Sequence, residues 1–279
     1  MIRLRILGTA AGGGLPQWNC PCSNCLAARA GEIAPQTQSS IAVGANDERW
    51  FLINASPDLA QQIESTPGLQ PRPAFPRNTP IAGVLLTNAD LDHALGLLLM
   101  RQEEMPLVVY AAEETQRALS WVKSSLKPFR RIEWRRPSNN FDSLGNGIAY
   151  RAIDLHKSTA FQLRDERSGA TALLAPAVGE LTDALREAVD TSHVVGFDGT
   201  FWSDEELRSI RSNARTARQM NHLPISDGSL DFLRSSPARR RFYTHINNTN
   251  PILMPGSTER RQVEEAGIEI AYDGLEITL

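Results

Sequence analysis

A short acidic turn with one histidine holds the residue types best suited to a metal site. Asp90, Asp92 and His93 follow directly after an apolar strand predicted at Ile81–Leu86. On a turn that leaves a buried strand the side chains can surround one point, and carboxylate and imidazole groups suit zinc, manganese or iron. A surface turn rich in Asn and Asp can also be only a turn. The turn by itself therefore leaves both interpretations open.

Three further residues of the same chemical types follow predicted strands. His156 comes after Ile153-Asp154-Leu155, Asp198 after Val194–Phe197, and His245 after Phe242-Tyr243-Thr244. Ligands in layered α/β folds collect at one edge of the sheets, where such strands end. Together with the acidic turn, these positions predict one metal centre assembled from distant parts of the chain.

All three cysteines lie within six residues, at Cys20, Cys22 and Cys25. Three thiolates with this spacing can occupy three corners of a tetrahedral zinc site, and a distant residue would supply the fourth ligand. Small buried thiols or a catalytic thiol are the alternatives. We expect a structural zinc ion in a cysteine-rich loop at about residues 18–26.

Bulk composition excludes some partners. The chain has 279 residues, a formal net charge of −3 and a sequence pI near 6.0. Nucleic acids are recognised through clustered cationic side chains, so no nucleic-acid partner is expected, and the short basic runs at 130–136 and 239–241 are interpreted as solvated surface. Neither a signal peptide nor a membrane-spanning segment is predicted. We therefore expect a cytoplasmic protein with no membrane partner and with reduced thiols.

The elements that must position these residues alternate between strands and helices. A hairpin is predicted from residues 39–43 and 50–54 around a loop at 44–47, and five prolines between Pro67 and Pro80 predict an irregular loop. Predicted helices cover 93–100, 113–126 and 180–189, and the second places Ala118, Val122 and Leu126 on one face. Ser203 and Glu206 have the spacing of a capping box. No repeat or linker divides the chain, so we expect one layered domain over residues 1–279.

Several motifs resemble the metallo-β-lactamase superfamily, whose usual signature is His-x-His-x-Asp-His followed by His, Asp and His. Within it, the chain is most similar to the family of pyrroloquinoline quinone (PQQ) biosynthesis protein B. The resemblance extends over essentially the whole chain. It rests on residues 7–20, Leu86–His93, Phe197–Trp202, His222–Ser226 and His245–Pro251.

The resemblance implies an α/β fold, a four-layer αββα sandwich, with an uneven metal centre. One half would use Asp92, His93 and His245, with Asp198 as the shared carboxylate. In the other half, Asn88 and Asp90 stand where the signature has its first two histidines, so only His156 is kept by type and Asp90 would be a weak ligand. An amide oxygen is a poor ligand beside imidazole. We therefore expect one well-formed site and a second half-site that is weak or empty.

The resemblance also implies further roles. His222 occupies the place of a histidine that acts as an acid or base, or orients the substrate, in hydrolase relatives; alternatively it only caps the next turn. His222 and Asp90 are the candidate catalytic residues. In a phosphodiesterase relative with a similar cysteine cluster, the fourth zinc ligand corresponds to Asn248, although water or another side chain could replace it.

A single ion held by two histidines and a carboxylate is the arrangement of non-haem iron oxygenases. The family resemblance accordingly implies a catalytic Fe²⁺, or Zn²⁺ or Mn²⁺ in its place. It implies a hydroxylase acting on the tyrosine part of a small-molecule or short-peptide precursor of PQQ. A metal-dependent hydrolase such as a phosphodiesterase, and a non-catalytic carrier or transport protein for PQQ or its precursor, are the alternatives. A homodimer is possible.

Overall fold

Fourteen strands form two sheets in the part of the chain that the computed structural model describes, residues 1–46, 49–73 and 77–279. Residues 47–48 of the predicted hairpin and 74–76 of the proline-rich loop lie outside these ranges. The first sheet contains β1 (Arg3–Gly8), β2 (Ser40–Asn46), β3 (Arg49–Ile53), β4 (Ile81–Leu85), β5 (Leu107–Tyr110), β6 (Ile132–Arg135) and β14 (Glu276–Thr278). The second contains β7 (Asp142–Gly145), β8 (Ile148–Asp154), β9 (Thr159–Asp165), β10 (Thr171–Ala175), β11 (Val194–Asp198), β12 (Arg240–Thr244) and β13 (Glu269–Ile270).

Both sheets change from antiparallel to parallel pairing part-way across. The first has the order β14-β1-β2-β3-β4-β5-β6, antiparallel as far as β3 and parallel from β3 to β6. The second has the order β13-β12-β11-β10-β9-β8-β7, parallel as far as β10 and antiparallel beyond it. The parallel strands β4, β11 and β12 are therefore followed by loops at their carboxyl ends. Residues in such loops commonly form ligand-binding sites.

Eight α-helices cover the outer faces of the sheets in the described residues. They are α1 (Ser23–Ala30), α2 (Leu59–Glu64), α3 (Leu91–Ala94), α4 (Glu113–Ala118), α5 (Ser120–Leu126), α6 (Asp183–Asp190), α7 (Leu230–Arg234) and α8 (Thr258–Glu265). None of them combines the length and the apolar character needed to cross a membrane.

Three apolar clusters define four layers. Strand residues alternate between faces, so Phe51 points toward the second sheet while Leu52 points toward the helices. Between the sheets, Phe51 shares a buried cluster with Phe161 and Phe242. A second cluster joins the first sheet to α2 and α5, and a third joins the second sheet to α1, α6, α7 and α8. The predicted αββα sandwich is confirmed.

The predicted helix 113–126 is two helices, and of the three residues predicted on one face only Ala118 is not buried. Leu119 has non-helical dihedrals that separate α4 from α5. Leu119, Val122 and Leu126 are buried, whereas Ala118 is exposed. Burying leucine removes more apolar surface from water than burying alanine, so the register that places Leu119 inward is favoured.

The predicted helix 93–100 is also divided, into α3 and a 3₁₀ helix at Leu95–Met100. Gly96 lies against the backbone of the 55–56 segment, and its N–H donates to Ala55 O at 2.9 Å. A Cβ atom at position 96 would lie 2.3 Å from Ser56 O. This close approach holds the segment following His93 against the end of β3.

The predicted capping box at Ser203 does not form. The local helix is a 3₁₀ turn over Glu206–Ser209 that starts after Glu205. The Glu206 carboxylate instead accepts hydrogen bonds from Trp202 N at 2.6 Å and from Thr249 Oγ1 at 2.5 Å. A long-range contact with the loop after β12 therefore replaces the local cap.

Candidate metal centre

Loops from both sheets meet at the carboxyl ends of β4, β11 and β12. Thr159 N donates to Thr87 O at 2.7 Å, which joins the β8–β9 hairpin to the loop after β4. Ile246 N donates to Thr9 O at 2.7 Å and joins the loop after β12 to the end of β1. These backbone bonds hold the predicted ligands, which come from different sheets, around one cavity.

His93 is fully buried and is held in one tautomer by its neighbours. Its Nδ1 lies 2.6 Å from Asn88 Oδ1 and 3.0 Å from Thr87 Oγ1. The amide oxygen can only accept, so Nδ1 carries the proton and Nε2 presents its lone pair. Nε2 is buried and has no hydrogen-bond partner. An unsatisfied buried acceptor is costly, and a metal ion would satisfy it.

His245 is oriented by the same principle. Thr200 Oγ1 lies 2.6 Å from Asp198 Oδ1 and 2.7 Å from His245 Nδ1. The carboxylate can only accept, so the hydroxyl donates to Asp198 and accepts from His245 Nδ1. His245 Nε2 is thereby directed toward Asp92. His245 also has a φ of 57°, a left-handed conformation that is uncommon for a non-glycine residue and is often found at functional sites.

Three potential ligand atoms, one each from Asp92, His93 and His245, converge on one point. Asp92 Oδ2 lies 3.1 Å from His245 Nε2 and 3.7 Å from His93 Nε2. Neighbouring ligands around one ion with bonds of about 2 Å have separations of this size. Asp92, His93 and His245 form one of three ligand clusters among the described residues. Both the chemistry of these donors and the unsatisfied His93 nitrogen fit a resident metal ion.

The charges of Asp92 and His93 favour metal binding. Burial would lower the pKa of His245, but its pairing with Asp92 outweighs burial and raises that pKa. Burial lowers the pKa of His93 to about 4, against the attraction of Asp92, so the ring is neutral at pH 7. Burial would raise the pKa of Asp92, but the two histidines outweigh it and lower that pKa. A neutral imidazole and an ionised carboxylate are the forms that coordinate metals.

Asp198 belongs to a second ligand cluster and not to the cluster of Asp92, His93 and His245. Its Oδ2 accepts from Val178 N at 2.8 Å and lies 2.7 Å from His222 Nδ1. Asp198, His222 and His245 form the second ligand cluster, which shares His245 with the first. Burial would raise the pKa of Asp198, but His222 and His245 outweigh it and lower that pKa. The structure thus places His222 in contact with the candidate metal ligand Asp198. Its predicted acid/base role stays a prediction.

The remaining predicted ligands of the second half-site lie apart. His156 is 74% exposed, and its Nε2 pairs with Glu180 Oε1 at 3.0 Å. Asp90 is exposed and accepts from Asn88 Nδ2 at 2.7 Å. Neither residue belongs to a ligand cluster in the described part of the chain. Their predicted metal roles, and the catalytic role of Asp90, stay predictions.

The three cysteines form the third ligand cluster. Asn248 Nδ2 lies 3.4 Å from Cys22 Sγ and 3.3 Å from Cys25 Sγ, so the amide occupies the position predicted for a fourth ligand. Turning the amide over would bring its oxygen to the same place. The arrangement fits a zinc ion and brings the amino-terminal loop beside the loop after β12.

A cavity of about 610 Å³ opens over the ligands, which is enough for a small molecule or short peptide. Its wall includes Asp92, His222 and His245 from the metal centre, and Arg215 and residues 219–222 from the loop after β11. Lys157 and Arg215 supply the lysine and arginine side chains among its lining residues.

Thr200 and Asn88 have roles that the sequence analysis missed. Asn88 was considered only as a poor ligand, but it fixes the tautomer of a good one, His93. Thr200 lies two residues after Asp198 in the Asp-Gly-Thr motif, and that proximity was the available signal. Residues that hydrogen-bond metal ligands tune their orientation and affinity.

Two seven-stranded sheets flanked by helices, with this centre at their edge, define a metallo-β-lactamase-fold protein. A family model described as a beta-lactamase superfamily domain matches residues 49–246. The coenzyme PQQ synthesis proteins B of Bradyrhizobium diazoefficiens and Cupriavidus taiwanensis are both 38% identical to the chain, and each match covers 100% of both sequences. The chain belongs to the coenzyme PQQ synthesis protein B family.

Solved structures agree with this assignment. The crystal structure of Zn²⁺-bound PqqB from Methylobacterium extorquens has a TM-score of 0.90 and 35% identity, and covers 99% of this chain and 100% of that one. A diphosphatase from the PhnP family has a TM-score of 0.75 and 21% identity, with 100% and 98% covered. The second similarity concerns the fold alone.

Proposed function

We propose that the chain catalyses an iron(II)-dependent hydroxylation of the tyrosine-derived precursor in PQQ biosynthesis. The observation that carries the proposal is the ligand set of Asp92, His93 and His245, two imidazoles and one carboxylate around a single point. This set, with open positions, is typical of non-haem iron oxygenases. The names of the curated relatives, which refer to coenzyme PQQ synthesis, support the choice of pathway.

The residues around the ligand set have separable tasks in this proposal. A bound Fe²⁺ would supply the redox chemistry that activates oxygen. Asp92, His93 and His245 would hold it, while Asn88 and Thr200 keep both imidazoles in the coordinating tautomer. The Nδ1–H of His222 donates a hydrogen bond to Asp198, which leaves the Nε2 atom to act as a base toward a substrate in the cavity.

Metal content and product analysis test the proposal together. Protein purified without oxygen should bind about one Fe²⁺ per chain beyond the cysteine-bound zinc. Given oxygen and a two-electron reductant in solution, it should add one oxygen atom to the tyrosine ring of the precursor while the other leaves as water, and mass spectrometry would detect the product. Asp92→Ala should lose both the iron and the product. Asp231→Ala is the matched comparison and should keep both, because Asp231 is exposed, pairs with Arg234 on α7 and lies outside the cavity wall.

A metal-dependent hydrolase is the second candidate, favoured by the cluster of Asp198, His222 and His245. A second ion there would create the paired metals that clamp the attacking and leaving oxygens of a phosphodiester. Tight occupancy by two zinc or manganese ions with phosphodiester cleavage would replace the oxygenase proposal. A carrier would bind the precursor unchanged, and Asp92→Ala would leave that binding intact.

A further inference from the structure

Two cationic side chains that line the cavity form no hydrogen bond or ion pair with any described residue. Lys157 and Arg215 line the cavity, and the side chain of neither makes a hydrogen bond or ion pair with another residue in the described ranges. Both are exposed. They come from different loops, Lys157 from the β8–β9 turn and Arg215 from the loop after β11.

Arg215 differs in this respect from the other arginines of its loop. Arg208 pairs with Glu205 at 2.8 Å, Arg211 Nε donates to Asn213 Oδ1 at 2.8 Å, and Arg218 pairs with Asp227 at 3.2 Å. None of those three arginines lines the cavity. In this loop, the arginine that faces the cavity is therefore the one without a carboxylate or amide partner.

The backbones that carry both cations are held in place. Lys157 N donates to Leu155 O at 2.8 Å, and the preceding His156 adopts a left-handed conformation with a φ of 65°. On either side of Arg215, Ala214 N donates to Arg211 O and Ala217 N to Asp204 O, both at 2.9 Å. Binding an anion would therefore order only two side chains, which reduces its entropic cost.

Within the described residues, none of the acids lining the same cavity forms an ion pair with Lys157 or Arg215. Asp154 Oδ1 accepts from His156 N at 2.8 Å, Asp90 accepts from Asn88, and Asp92 belongs to the metal cluster. Glu114 lies on α4, which covers the other sheet, and no ion pair joins it to Lys157 or Arg215. Both cations therefore remain available to pair with a charge that enters with the substrate.

From the position of these two unpaired cations in the cavity wall, we infer that Lys157 and Arg215 bind a carboxylate of the substrate and so select anionic, amino-acid-like substrates. This inference rests on the proposed function for the identity of the substrate. Arginine can hold a carboxylate through two parallel N–H···O bonds, and lysine adds a mobile point charge. The bound carboxylate would hold the rest of the molecule against the ligands of the metal centre.

Paired ligands that differ in one charge test the inference. N-acetyl-L-tyrosine and N-acetyl-L-tyrosinamide have nearly the same shape, but only the first carries a carboxylate. Zinc-loaded protein should bind the acid roughly tenfold more tightly than the amide in calorimetric titrations. Lys157→Ala and Arg215→Ala should each reduce this preference several-fold, and the double variant should abolish it. Arg215→Lys should restore part of it.

Arg211→Ala is the matched control, because Arg211 lies in the same loop but outside the cavity wall. It should keep the full preference for the acid. A wild-type protein that does not distinguish the two compounds would overturn the inference, as would a double variant that still prefers the acid. Zinc is redox-inert, so the titration does not depend on the oxidative reaction. A carboxylate preference without any hydroxylated product from the iron-loaded protein would reject the proposed function alone.

Discussion

Hydrogen-bonding oxygen atoms beside Nδ1 fix the orientation and tautomer of the two histidines in the candidate metal centre. Asn88 Oδ1 acts on His93, and Thr200 Oγ1 acts on His245. Thr200 also lies 3.1 Å from His222 Nδ1 and donates to Asp198, so one hydroxyl touches three candidate site residues. Such contacts decide which nitrogen faces the metal, and they explain how a neutral amide at position 88 can serve a metal site without binding the ion.

Replacing the Thr200 hydroxyl should weaken metal binding without unfolding the protein. Thr200→Val keeps the shape of the side chain but removes the acceptor for His245 Nδ1, so active-site metal affinity should fall about 10- to 100-fold. Competition with a chelating dye measures that affinity. Thr200→Ser retains the hydroxyl and should stay within a few-fold of the wild type. Equal affinities for the valine and serine variants would contradict the role assigned to Thr200.

At the scale of elements, Glu206 connects the loop after β11 to the loop after β12. It accepts hydrogen bonds from Trp202 N and from Thr249 Oγ1, and Thr249 follows the cavity residue Asn247 and the zinc-site residue Asn248 in the chain. Burial raises its pKa to about 7, although these hydrogen bonds oppose the shift. As the pH rises, the unfolded chain therefore loses the Glu206 proton near pH 4.5, whereas the folded protein keeps it to about pH 7.

The raised pKa of Glu206 makes the loop contact pH-dependent. Because the folded state binds the proton more tightly, the contribution to stability is largest below about pH 4.5 and is lost as the pH rises to about 7. Glu206→Gln cannot ionise, so its free energy of unfolding should gain on that of the wild type between pH 5 and pH 8, by at most about 3 kcal/mol.

Urea unfolding at the two pH values measures this change. Glu205→Gln is the control, because Glu205 is exposed and pairs with Arg208. It should show the same pH dependence as the wild type. A Glu206→Gln difference that stays constant between pH 5 and pH 8 would show that Glu206 is ionised throughout.

At the scale of the whole molecule, the cysteine cluster joins two ends of the chain. Cys20 and Cys22 lie just before α1, Cys25 lies in the first turn of α1, and Asn248 follows β12. Asn24 Nδ2 adds hydrogen bonds to Asn248 O and Asn250 O, each 2.9 Å long. Since His245 lies only three residues before Asn248, the cluster also supports the loop that carries a ligand of the active-site metal.

Loss of the cysteine cluster should therefore destabilise the protein. Cys25→Ser, or removal of zinc with a strong chelator, should lower the free energy of unfolding by more than about 2 kcal/mol, as measured by urea unfolding with zinc analysis. Ser23→Ala, at the first residue of α1 between Cys22 and Cys25, is the control and should retain zinc and stability. If chelation leaves the unfolding transition of the wild type unchanged, the cysteines are buried thiols without a structural metal.

The local elements could be predicted where apolar spacing is regular. The hairpin of β2 and β3, the short strand β11 and the helix α6 follow from such patterns. The failures at Leu119 and Gly96 arise where a tertiary contact competes with local preference. Leu119 turns toward the first sheet's helical cluster, and Gly96 packs against the backbone of residues 55–56. Neither partner is near in sequence, so periodicity cannot reveal it.

The sequence by itself determined the fold class, the family and the candidate metal ligands, because ligand types and strand patterns are written in local segments. The grouping of those ligands depended on the folded chain. His222 lies beside Asp198, whereas His156 is exposed and paired with Glu180, although both histidines follow plausible positions in the sequence. Side-chain distances of 3 Å depend on how loops from two sheets pack together. Only the tertiary structure can therefore separate one compact ligand set from residues of the same type that lie outside it.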